Sequence, residues 1–120
     1  MGAAGFLPSV CPVFPELFAE AYDAAVSGDV ALTWEYDALL AETSKILGMS
    51  KNATASAKYA ISLRGMINKR VMWPQDGTTP EDEARIAAQE RKVKSYMTSK
   101  NHCHLLPQLE GKCSFHLPWR

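Results

Sequence analysis

The stretch FPELFAEAYDAAVSGD, residues 14–29, decides the fold class. Phe14, Leu17, Phe18, Ala21, Tyr22 and Ala25 fall at i, i+3, i+4, i+7, i+8 and i+11, which is one face of an α-helix. Pro15 suits the first helical position, where its missing N–H would have no partner in the helix anyway. Gly28 is placed to end the helix in a left-handed conformation. Asp29 can then cap a second helix by accepting from a free N–H of its first turn.

The same pattern continues toward the C-terminus. A second helix is expected to about Leu47, with Leu32, Tyr36, Leu39, Leu40, Thr43, Ile46 and Leu47 as its stripe and Gly48 as its stop. Asn52 or Thr54 can cap a third, whose apolar side is Ser56, Tyr59, Ala60, Leu63, Met66 and Ile67. Gly65 would weaken that helix by about 1 kcal/mol relative to Ala. Residues 68–78 read as a loop, punctuated by Trp73-Pro74 and Asp76-Gly77. Thr79-Pro80-Glu81-Asp82-Glu83 opens a fourth helix with a cap, a proline and acids in the positive first turn. Its apolar face is thin: Ile86, Val93 and Met97, with Glu90 between them.

Toward the N-terminus the periodicity changes. Gly5-Phe6-Leu7-Pro8-Ser9-Val10-Cys11 is a short apolar run between small residues, which suits a buried strand. Pro8 cannot donate to a ladder and would favour an edge. The expected fold is therefore mostly α, one short strand followed by four helices. A single strand cannot satisfy its own backbone groups, so it needs a sheet to join.

Composition narrows the function. The 120 residues suit one small domain, and the formal net charge of +0 offers no bulk attraction to nucleic acid or anionic membrane. The zero is a sum of unlike parts. Residues 1–90 carry seven Lys/Arg and twelve Asp/Glu, 7 − 12 = −5, and residues 91–120 carry six and one, 6 − 1 = +5. This shift marks a boundary, with residues 89–120 expected to be an irregular, basic, Cys/His-containing tail. Three cysteines cannot all pair together, so a reducing compartment is expected. With no apolar run of membrane-spanning length and no basic leader, the expected location is cytoplasmic.

Residues 2–87 also follow a known order of motifs. They read Gly2-Ala3-Ala4-Gly5-Phe6-Leu7-Pro8-Ser9, Ala21-Tyr22-Asp23-Ala24-Ala25, Gly28-Asp29, Lys58-Tyr59-Ala60, Trp73-Pro74 and Thr79-Pro80-Glu81-Asp82-Glu83. In this order they resemble strand eight and the C-terminal helices of a Schiff-base aldolase of the dihydrodipicolinate synthase/N-acetylneuraminate lyase family. The resemblance implies that residues 1–88 are the last part of a (β/α)8 barrel, a fold of about 250 residues. It implies lyase chemistry on pyruvate or another 2-keto acid, with no cofactor. It also implies that the Schiff-base lysine and the proton-shuttling tyrosine belong to strands before this segment, leaving no catalytic residue here and an expected inactivity alone. Leu7 falls where the family packs an apolar residue against the pyruvate moiety. Ser9 falls where the sialic-acid lyases bind substrate through a serine. These two are the candidate substrate-binding residues. Pro8 and Pro12 depart from the family pattern, which has a small residue and often an asparagine there.

Other groupings carry less. His102-Cys103-His104 and Cys113-x-x-His116 offer five soft ligands, but adjacent ligands rarely converge on one ion, so no metal site is expected. Cys11, in the apolar strand, is expected to be inert. Trp34, Tyr22, Tyr36 and Tyr59 at helical spacing read as packing residues. Arg91-Lys92-x-Lys94 reads as a solvated helix face, and the carboxylates Glu16, Glu20, Asp37 and Glu42 as solvent-facing. A second function class stands beside the aldolase segment: a stand-alone helical interaction module whose exposed faces could drive self-association into a homo-oligomer.

Overall fold

The computed structural model describes residues 5–99. A 3-10 turn at Cys11–Val13 leads into α1 (Pro15–Ser27) and α2 (Val30–Ser44). A second 3-10 turn at Lys45–Gly48 precedes α3 (Ala53–Leu63), and a long loop leads to α4 (Pro80–Ser99). The mostly helical expectation holds. Residues 100–120, with the His/Cys grouping of the expected tail, lie outside the described residues.

The expected strand at residues 5–11 does not form, and no strand occurs among the described residues. Residues 5–8 form no regular element, and the chain then turns at Ser9-Val10. The Cys11 N–H donates to Pro8 O at 3.2 Å and the Val13 N–H to Val10 O at 2.9 Å. Pro8 removes a donor from the run, and no neighbouring strand among the described residues offers a ladder. Local turn bonds take the backbone groups instead.

The helix signals behave as their chemistry requires. Gly28 adopts φ 78°, and the Asp29 N–H reaches back to Ala24 O at 3.2 Å, closing α1. The Asp29 carboxylate accepts from the Leu32 N–H at 3.0 Å and starts α2. A two-residue break of this kind folds α2 back on α1 as an αα-hairpin. Asn52, rather than Thr54, caps α3 by accepting from the Thr54 and Ala55 N–H groups. Thr79 and Asp82 cap α4 reciprocally, each backbone N–H donating to the other's side chain.

Two helix ends differ from expectation. The last turn of the second helix tightens to 3-10 at Lys45–Gly48. The third helix stops at Leu63, and Gly65 at φ 72° serves as its left-handed exit rather than a weak interior residue. Leu63, Met66 and Ile67 are consequently exposed instead of lining a helix face.

The core joins all four helices. Leu17 and Phe18 enter from the first, Tyr36 from the second, Ala60 from the third, and Ile86, Val93 and Met97 from the fourth, with Val13 and Phe14 from the first 3-10 turn and the residue after it and Ile46 from the second turn. Each large apolar side chain of this set contributes about 1.5–3 kcal/mol by leaving water. α1 packs along α2, while α3 packs on α4 and on the Lys45–Gly48 turn; α2 also reaches α4. Glu90 is buried on the same face as Ile86 and Val93. Its Oε1 accepts no hydrogen bond, and its ion-pair neighbour, Lys94 Nζ, lies at 3.6 Å.

Candidate functional site

Leu7 and Ser9 are both exposed, Leu7 completely, on the segment that precedes the first 3-10 turn. Neither lines a cavity described below. Cys11 is half-buried in that turn rather than sunk in a strand. Among the described residues, no group of three or more His, Cys, Asp or Glu side chains could hold a metal ion.

A buried ion pair anchors this segment. Arg64, at the end of α3, places Nη2 2.9 Å from Glu16 Oε1 and donates from Nη1 to Glu16 Oε2 at 3.2 Å. The same Nη1 donates to Val13 O at 2.5 Å, and the guanidinium lies over the Phe14 ring. The two side chains are only 8% and 9% exposed. The guanidinium approaches both carboxylate oxygens, but only Oε2 accepts a hydrogen bond from it and Oε1 is held by charge alone, while the aromatic face adds a cation–π contact. Glu16 is thus a buried structural carboxylate, not the solvent-facing one its helix position predicts.

The lysines decide whether Schiff-base chemistry has a nucleophile here. An amine must lose water or gain a cationic neighbour to be neutral at ordinary pH. Lys58 Nζ donates to Arg70 O at 3.0 Å, and Lys69 Nζ to Glu83 at 2.6 Å. Lys45 and Lys92 both pair with Glu42, and Lys94 with Glu90. Lys51 is exposed. The Lys92 amine is pushed up from its ordinary range by its hydrogen bond to Glu42, which is the wrong direction for a nucleophile.

Glu42 is the hub of a cavity of about 320 Å³ between α2 and α4, floored by Leu32, Leu39 and Tyr96. It accepts from Lys45, from Lys92 at 3.0 Å and from Gln89 at 3.2 Å. These donors, Lys45 first, bring its carboxyl down to about 2. Tyr36, on the same wall, donates its hydroxyl to Glu20 Oε2 at 2.9 Å. Burial first, and then that bond, raise its phenol above the ordinary value of 10.0. A carboxylate held ionised, an ammonium held charged and a phenol held protonated do not exchange protons near neutral pH. The arrangement suits cohesion of α2 with α4, not acid–base catalysis.

The aromatic residues divide. Tyr36 is buried and Tyr59 partly so, as packing requires. Tyr22 and Trp34 are exposed, against the packing expectation. The Arg64–Glu16 pair and the Lys92 arm of the Glu42 hub have no signal in the local sequence, because the partners lie 48 and 50 residues apart along the chain; only the Lys45 arm, three residues on, is local. No protein-family model, no curated protein and no solved structure matches this chain.

Proposed function

We propose that the chain is a C-terminal helical segment of a Schiff-base 2-keto acid aldolase of the dihydrodipicolinate synthase type, without the amine nucleophile and inactive by itself. The observation that carries this is the complete exposure of Leu7 in an apolar run without regular secondary structure, with Phe6 half-exposed beside it. An apolar segment with an unladdered backbone has the chemistry of a strand awaiting a sheet. Set beside barrel strands, residues 5–11 could straighten and Ser9 could face a substrate pocket. Further support comes from the order of motifs, with the Gly28-Asp29 break and the Thr79-Pro80 start at working helix boundaries. The solvated or paired state of the lysines among the described residues supports the inactive half of the proposal.

The test combines the full chain with a Schiff-base aldolase barrel cut after its seventh helix, followed by borohydride trapping with pyruvate and intact-mass reading. Co-purification is expected, with the pyruvyl mass increment on the barrel and none on this chain. An increment on this chain would overturn the inactive half. Failure to co-purify, where the barrel's own C-terminal segment does, would overturn the family half.

A further inference from the structure

The first 44 residues contain seven Asp/Glu and no Lys, Arg or His. All seven acids lie on α1, on α2 or at the Asp29 cap between them. Bases from elsewhere reach Glu16 and Glu42. Asp23 and Asp37 have no ion pair among the described residues. The hairpin therefore projects negative charge on a chain whose total is zero.

The same hairpin exposes apolar surface. A shallow groove of about 490 Å³ runs between α1 and α2, with Phe6, Tyr22 and Val26 on one side and Thr33, Asp37 and Leu40 on the other. Val30 and Trp34 are not part of the groove's lining; they neighbour Asp37 along α2 at helical spacing and form exposed apolar surface beside its rim. Val26, Val30 and Trp34 are 68%, 67% and 68% exposed. An apolar floor beside an unpaired carboxylate selects its occupant by sign.

We propose that this groove docks a basic amphipathic helix of another polypeptide, with an apolar stripe against Tyr22, Val26 and Trp34 and flanking Lys/Arg toward Asp23 and Asp37. A helix laid along two antiparallel helices is a common way to fill such a groove, with anchors at helical spacing. A second copy of the hairpin would bring carboxylates against carboxylates, which like-charge repulsion opposes. Nucleic acid and anionic lipid are repelled for the same reason. The proposal does not depend on the aldolase reading.

The test is fluorescence anisotropy of a labelled synthetic peptide of about 18 residues, leucines at helical spacing flanked by lysines, titrated with the full chain. Saturable binding is expected, weakening as salt rises. Trp34→Ala is expected to weaken it at least about tenfold, as loss of an aromatic anchor does. Asp37→Asn is expected to flatten the salt dependence. The proposal is overturned by no binding, by equal binding of a peptide with glutamates for the lysines, or by indifference to Trp34→Ala. A dimer of the chain that Trp34→Ala dissolves would also overturn it, because the groove would then serve self-association.

Discussion

The two halves of the bundle handle charge in opposite ways. In the α3–α4 half, acids and bases alternate and pair locally: Lys69 with Glu83, Arg85 with Asp82, Lys94 with Glu90. The α1–α2 hairpin has acids only, and its counter-charges come from outside it, through Arg64, Lys45 and Lys92. Exposed apolar residues occur in both halves, but in different places: Tyr22, Val26, Val30 and Trp34 stand on the hairpin's helices, whereas those of the other half are, Tyr96 apart, at the Leu63 end and in the loop at Met72 and Trp73. The α3–α4 half pairs acids with its own bases and still lends Arg64 and Lys92 to the hairpin. A half that borrows its counter-charges is anchored at a few points and open elsewhere.

Removing an anchor is the most severe way to break this contrast. Arg64→Ala would strand the buried Glu16 carboxylate and Val13 O together, and removing one partner of a buried pair costs about 3–5 kcal/mol. Urea unfolding followed by circular dichroism should show that loss. A loss under about 1 kcal/mol would mean that Glu16 finds water and that the halves are held by the apolar core alone. Glu90 sharpens the comparison from the other side, as the flaw in the self-paired half. Replacing a buried carboxylate that has an unbonded oxygen by an apolar side chain, Glu90→Leu, should stabilise by about 1–2 kcal/mol. Destabilisation would show that Lys94 and Glu90 form a stronger pair than their 3.6 Å separation indicates.

These two groups also show how far the sequence could be read. Helix positions were legible because their signals are local: a proline at the start, Asp29 or Asn52 as a cap, Gly28 at the end. The strand was misread because a strand is a property of its neighbours, and an apolar run with Pro8 in it has the composition of one without the partner. Trp34 was misassigned for a different reason. α2 carries apolar residues around much of its circumference, Val30, Leu32, Trp34, Leu39 and Leu40 among them, so periodicity alone did not select its buried face. Of the two candidate binding residues, Leu7 and Ser9, the sequence supplied identity but not placement, since a pocket at their position requires barrel strands. The Arg64–Glu16 pair was invisible because nothing local distinguishes a buried carboxylate from a solvated one.

The gentlest probe of the borrowed counter-charges is pH. The Glu42 carboxyl lies near 2 in the fold, against an ordinary value of 4.5. A group lowered by folding adds stability that is complete above its unfolded value and lost as pH falls through its folded one. Stability should therefore decline between about pH 5 and pH 2, and Glu42→Gln should make that decline shallower. An unchanged slope in the variant would place the acid sensitivity in Asp82 and Glu83, whose carboxyls are also lowered, by Arg85 and Lys69 respectively.

Arg64 has one more effect. It is the residue that closes α3, and its side chain also grips the carbonyl of Val13 just before α1. Fraying at the end of one helix and loosening at the entrance to another are thus a single event, although 51 residues of chain separate them. In the native ensemble these two places open as one cooperative unit, so whatever draws the N-terminal segment away from the bundle also melts the last turn of α3.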